Sequence, residues 1–293
     1  MCSIFCREQD IEETGITIRQ HINTATAEAA QPRAIGDVRV VGHLKNGKSR
    51  LAHLRQSGAL KLLFPRRVSG LEAVMINTAG GITGGDCFSI TAEAGDACHM
   101  TLTTQAAERV YRAQPGQTGR IATRLRVGAG ARLNWMPQET ILYNHCSFQR
   151  HLTANLAKDA TLLVVEPLVF GRIAMGEALS SARFHDCIDI RRDGRRLYYD
   201  AVRLHGDITA KLSRPAVANG ANAMANLIFT APDAARHLSF LREALPDTGG
   251  VSLIGDDLLV LRLLAEDSFV LRKSLLPILD RLTDNGLPLC WRL

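Results

Sequence analysis

Short alternating segments, broken every few residues by Gly, Asp or Asn, run from about Ala34 to residue 228 and constrain the fold more than any other feature. Apolar and polar residues alternating at period two mark a strand that buries one face. Ile121, Thr123, Leu125 and Val127 alternate with Ala122, Arg124 and Arg126, so one face packs while the arginines stay in water. Residues 183–192 and 195–204 flank Asp193-Gly194, a hairpin signal because both central positions must accept positive φ. A longer period is superimposed. Ala94-Gly95-Asp96-Ala97, Gly128-Ala129-Gly130-Ala131 and Ala157-Lys158-Asp159-Ala160 each separate two alternating runs, and their last residues are 34 (131 − 97) and 29 (160 − 131) positions apart. A strand, turn, strand unit at roughly 30 residues is the period of stacked β units. Small residues also recur at the turns of any sheet protein.

Both ends depart from this pattern. Residues 1–33 include a polar, alanine-rich run stopped by Pro32 and are expected to form a flexible tail. Thr230-Ala231-Pro232-Asp233 reads as a helix start, followed by Leu238, Leu241 and Leu245 on one face. Residues 251–254 and 258–264 read as strands, and Leu271, Leu275, Ile278 and Leu282 form a helical stripe with Pro277 as a kink. The expected architecture is mainly β: a tail over 1–33, stacked strands over 34–228, and an α-β-β-α portion over 229–293 packed on the same domain.

Seven cysteines, odd in number and never in a CxxC pair, argue against a disulfide framework or a zinc knuckle and fit a reducing cytoplasm. No stretch reaches the ~18 apolar residues of a membrane span, and the N-terminus lacks a secretory pattern. A formal charge of +6 is open to several anionic partners, but aromatics make up only 5% of the chain, which argues against a nucleic-acid reader.

The glycines of Asn77-Thr-Ala-Gly-Gly-Ile-Thr-Gly-Gly-Asp86 invite comparison with a phosphate loop, but the lysine is missing and a strand pattern, not a helix, comes next. A glycine-rich turn is the expectation. Pro137 interrupts an apolar run and sets Gln138 and Glu139 between two strand-like segments. A buried carboxylate there needs a partner, and with no second catalytic group in evidence a structural or interface role is expected. His185 and Cys187 share a strand face, while Cys98-His99 and His145-Cys146 are adjacent and point apart, so no preformed metal site is expected. Arg191, Arg192, Arg195 and Arg196 surround the hairpin tip, either as a solvated turn or as a dock for an acidic protein surface.

In these same segments the chain resembles the urease accessory protein UreD (UreH) family. The resemblance rests on residues 77–86 with Thr83, Gly84, Gly85 and Asp86; 102–112 with Gln105 and Tyr111; 130–141 with Pro137 and Gln138; and 170–177 with Gly171 and Arg172. Residues 47–58 look like the family's opening segment, whereas 1–33 and the ending at 287–293 depart from it. The resemblance implies a β-helical body and a non-enzymatic, cytoplasmic protein that binds apo-urease and, with UreF and the GTPase UreG, enables nickel insertion. UreE, the usual nickel donor, would act indirectly. It implies no permanent cofactor, with nickel only in transit, and neither a nucleic-acid nor a membrane partner. Glu139, Glu166 and Glu177 are expected along the nickel route, because carboxylates in apolar strand sequence need water, partners or cations. Leu238, Leu241 and Leu245 are expected to meet UreF or else the protein's own sheet. A β-solenoid hydrolase of acidic polymers and a plain metallochaperone are the competing readings.

Overall fold

The computed structural model describes residues 31–66 and 70–292; most of the expected tail, with Cys2 and Cys6, lies outside the described residues. The body begins at Arg33. Strands β1 (Ile35–Lys45) and β2 (Lys48–Gly58) form a hairpin, succeeded by β3 (Leu60–Leu63) and β4 (Leu71–Asn77). The chain then coils through β5 (Cys87–Ala94), β6 (His99–Thr104), β7 (Glu108–Val110), β8 (Gly119–Val127), β9 (Arg132–Met136), β10 (Thr140–Leu142), β11 (Ser147–Leu156), β12 (Thr161–Phe170) and β13 (Ala182–Arg192). After β14 (Arg195–Gly206) come α1 (Ile208–Leu212), β15 (Ala223–Thr230), α2 (Leu238–Ala244), β16 (Gly249–Ile254), β17 (Leu258–Ala265) and α3 (Ser268–Leu282).

Two sheets result. One has seven strands in the order β14-β13-β11-β8-β5-β1-β2; the other has ten, with β16-β17-β15-β12-β9-β6-β4-β3 as its main path. Each coil gives one strand to each sheet, so β5, β8, β11 and β13 stack in parallel, as do β4, β6, β9 and β12. This is the stacked β arrangement that the strand pattern and the resemblance led us to expect. The turns that cross from the seven-stranded to the ten-stranded sheet are the recurrent small-residue segments. Each closes with the same hydrogen bond: Cys98 N to Gly95 O (3.0 Å), Ala131 N to Gly128 O (3.2 Å) and Ala160 N to Ala157 O (3.2 Å). Successive turns also bond to one another, as in Ala97 N to Ala129 O at 2.8 Å. The structural frame is therefore Cys98, Ala131 and Ala160, spaced by 33 (131 − 98) and 29 (160 − 131) residues. The first tetrapeptide is displaced by one residue from the frame expected from sequence. The Asp193-Gly194 hairpin forms with φ of 47° and 78°.

In-register stacking puts like with like. Ile90, Thr123, Leu152 and Ile188 form one buried column, and Ala92, Leu125, Ala154 and Ile190 the next. Facing them, Leu102, Trp135 and Val164 line up across the other sheet. The two sheets differ on their outer faces. β11 alternates buried and accessible residues, whereas β12 is buried almost throughout, because α2 and α3 cover the outside of its sheet. Leu163, Val165, Leu227 and Leu261 meet Leu271, Leu275, Ile278, Leu279 and Leu282 of α3 there, each such side chain contributing about 1.5–3 kcal/mol on burial. Asp267 caps α3 by accepting from Val270 N at 2.8 Å, and the helix runs on through Pro277.

One expectation for this region needs correction, and one open choice is decided. Thr230 ends β15 rather than capping a helix: its Oγ1 accepts from Arg192, a 3-10 turn spans Ala234–His237, and α2 starts only at Leu238. Leu241 has no exposed surface, and Leu238 and Leu245 pack against the same cluster. Of the two uses expected for this stripe, a partner or the protein's own sheet, the structure shows the second, the outcome favoured when an amphipathic helix has an apolar sheet face beside it.

Candidate functional site at the stacked loop end

The connections that return from the ten-stranded to the seven-stranded sheet gather at the opposite end of the coils, and the four sequence motifs fall on them. Ile82 bridges Val110, β7 pairs with β10, and β10 with the end of β12, so Ile82, Val110, Leu142 and Phe170 form a buried column of one residue per loop. Beside it runs a polar column. A Cβ on Gly81 would lie 2.2 Å from Cε2 of Tyr111, so only glycine lets the ring approach. Tyr111 donates from its hydroxyl to Gly80 O at 3.0 Å and meets Tyr143 edge-to-face at 5.1 Å. The guanidinium of Arg172 lies 4.3 Å from the Tyr143 ring centroid.

Motif residues elsewhere in these loops hold backbone. The Asp86 carboxylate accepts from Thr83 N (2.8 Å) and Ala34 N (2.7 Å), and Thr83 Oγ1 donates to Arg112 O (2.7 Å). A Cβ on Gly84 would lie 2.7 Å from that of Ala113. Gly85 and Gly171 take φ of 90° and 83°. Strand β5 comes directly after the glycine-rich loop, so no helix stands there to cradle a phosphate.

The three carboxylates expected on a common route each have their own arginine. Glu177 accepts from Arg172 Nε and Nη2 (both 3.0 Å) and from Asn144 N (3.2 Å), and the Arg172 hydrogen bonds hold its carboxyl below the usual range. Glu139 is buried and bound by Arg272 of α3, with Nε 3.0 Å from Oε1 and Nη2 2.7 Å from Oε2. Arg272 also bonds Gln138 Oε1 and reaches Trp291, whose Nε1 donates to Met136 O at 3.0 Å. Pro137, Gln138 and Glu139 are thus fastened to the C-terminal helix, with Cys290 Sγ 3.6 Å from Gln138 Nε2.

Glu166 lies inside the coil. Its Oε1 accepts from Trp135 Nε1 at 3.0 Å; its Oε2 sits 3.2 Å from Arg150 Nη2 in an ion pair whose geometry is not that of a hydrogen bond. Arg150 is committed mainly to Asp186, with contacts of 3.0 and 2.6 Å. Burial pushes the Glu166 carboxyl up to about 7, against the pull of Arg150. No hydrogen bond or ion pair links Glu139, Glu166 and Glu177 to one another among the described residues.

Glu108 was not anticipated. It is half-buried at the start of β7 and accepts from Asn77 Nδ2 through both oxygens (3.1 and 3.2 Å), with no arginine clamp among the described residues. Burial raises it to about 7, partly offset by Asn77. It lines a cavity of about 130 Å³ with Asn77, Gly80, Thr104, Gln105 and Arg109. Arg150 and Asp186 were missed too, though a signal existed: each stands on the inward phase of its strand, between Phe148 and Leu152 and between Phe184 and Ile188.

No group of three or more His, Cys, Asp or Glu is arranged to hold a metal among the described residues. His185 and Cys187 do lie on one face of β13, while Cys146 is buried and its thiol is pushed up to about 12 by that burial. No helix among the described residues is long and apolar enough to cross a membrane.

Fold and loop end together define a scaffold built on a two-sided β-helix, whose polar residues hold loops and helices in place. A sequence model of the UreD urease accessory protein family matches residues 34–292, and the chain belongs to that family. It is 57% identical to urease accessory protein UreD of Ruegeria sp. (strain TM1040), over 91% of this chain and 93% of the relative. Identity is 53% to that of Roseobacter denitrificans (90% and 96% covered) and 43% to that of Brucella suis (92% and 98%). These relatives carry the name of an accessory protein, and the chain is an accessory protein of urease rather than an enzyme.

Proposed function

We propose that this protein is a scaffold for urease maturation, which binds apo-urease and, with UreF and the GTPase UreG, enables nickel insertion in the cytoplasm, with UreE supplying nickel upstream. The observation that carries the reading is the family match over nearly the whole described chain. Nickel is cargo here, not a resident cofactor. Glu139 and Glu177 are each closed by an arginine and serve as structural anchors. Among the described residues, Glu166, with one oxygen lacking a hydrogen bond, and Glu108, with no arginine clamp, are carboxylates able to exchange a proton for a passing cation near neutral pH.

The test is urease activity and nickel content in cells carrying the urease operon with and without this gene. Assembled but nickel-poor urease in the deletion, restored by the gene in trans, supports the reading. Nickel-replete, active urease in the deletion sinks it. Glu108→Gln and Glu166→Gln are expected to lower urease nickel content several-fold while leaving its subunits assembled.

A further inference from the structure

The helices cover only one sheet. Among the described residues no element covers the outer face of the seven-stranded sheet, and its outward positions are set by the alternation and register of β1, β2, β5, β8, β11, β13 and β14. Those positions carry twelve Lys or Arg and three Asp or Glu, a net of +9 where the whole chain has +6. The rest of the chain therefore holds 23 (35 − 12) cations and 26 (29 − 3) acids and sums to −3. The basic excess is a property of this one face.

At its centre, Arg120, Arg124 and Arg126 project from β8 at every second or fourth residue, flanked on β5 and β11 by Cys87 and Gln149, Thr91 and Thr153, and Glu93 and Asn155. Among the described residues none of the three makes an ion pair, in contrast to Arg191 and Arg196 at the margin, which share Asp189. At one corner the face dips into a cleft of about 360 Å³ whose lining includes Arg112, His145, Arg183 and His205 and, among the described residues, no carboxylate. With strands ~4.8 Å apart and a rise of ~3.3 Å per residue, seven strands with a common core of about eight residues present roughly 750 Å². That is the area one partner contributes to a standard protein interface, about 800 Å².

We infer that this open face docks an acidic face of apo-urease, with a partner Asp or Glu entering the corner cleft. The inference rests on the maturation reading and adds the surface it uses. Charge complementarity fixes the chemistry. Tyr199 is the only aromatic among the outward positions, so the face lacks the stacking platforms that single-stranded nucleic acid requires.

The experiment measures binding of the full chain to apo-urease at low and physiological salt, for wild type, for R120E/R124E/R126E, and for a control R242E/K273E on the helices covering the other sheet. The central triple reversal is expected to weaken binding by about 100-fold and flatten its salt dependence, with the control within about threefold. Far-UV circular dichroism verifies that each variant is folded; should the triple variant misfold, Arg124→Glu alone carries the test, with at least a roughly tenfold loss expected. Unchanged affinity in the folded variant overturns the inference. So does equally tight binding of a single-stranded RNA oligonucleotide or of phosphatidylserine vesicles by the wild type. If the triple variant matures urease normally while the gene deletion does not, the docking face is wrong and the maturation role stands. If the deletion itself leaves urease nickel-replete, it is the maturation role that fails.

Discussion

Arg150 is a single residue that serves two buried carboxylates. It pairs with Asp186 and Glu166, both largely buried. Replacing it with Met strands two buried carboxylates and is expected to cost about 3–5 kcal/mol in urea denaturation. Adding Glu166→Gln and Asp186→Asn should recover most of that loss; no recovery would show that packing rather than charge sets the cost. Glu108 offers a pH test. Its folded value of about 7 lies above the ordinary 4.5, so the folded state keeps a proton that the unfolded chain has released, and its contribution to stability falls as pH rises from 4.5 to 7. Relative to wild type, Glu108→Gln is expected to gain stability across that window by at most about 1.4 kcal/mol per pH unit. A flat difference would contradict the burial of that carboxyl. These partnerships were only partly legible. Arg150 and Asp186 announce themselves by standing on the buried phase of alternating strands, whereas Arg272 reaches Glu139 across 133 residues with no local sign.

For elements, legibility tracked locality. Asp193-Gly194 specified its hairpin because the turn type depends on those two residues alone. The coil turns were visible as small-residue segments, but their frame was set by hydrogen bonds to the neighbouring coil, which no single segment encodes. Thr230 failed as a helix start because β15 continues through it, paired with both β12 and β17. Helix α3 and its sheet offer the clearest test of coupling. Leu275→Ala is expected to cost about 2–5 kcal/mol, read by thermal or urea denaturation. Arg272→Ala should cost about 2 kcal/mol and, by loosening Trp291 from Met136, shift tryptophan emission to the red. An unshifted spectrum would mean the C-terminal segment holds without the clamp.

For the molecule as a whole, the ten-stranded sheet is one continuous surface from β3 to β16, and among the described residues its outer apolar face is covered by the segments C-terminal to β15. Removing residues 268–293 would uncover Leu163, Val165, Leu227 and Leu261 together. Such a truncation is expected to elute as large aggregates in size-exclusion chromatography, since an apolar patch of that extent seeks another surface. A monomeric, folded fragment would show that the helices are an accessory to the body and not its cover. The same continuity explains why the parallel stack ends where it does. A column of parallel coils has no intrinsic length and could in principle elongate by adding the coils of another copy. Here each sheet is finished at both margins by strands running antiparallel to their neighbours, β2 and β14 on one and β3 and β16 on the other. On β2 the outermost row carries Lys48, Arg50 and Arg55. A reversed strand studded with cations is a poor template for the next coil. The chain thus carries its own terminators, and a fold that shares its geometry with fibres offers no parallel coil at the margins of its described sheets for another copy to continue.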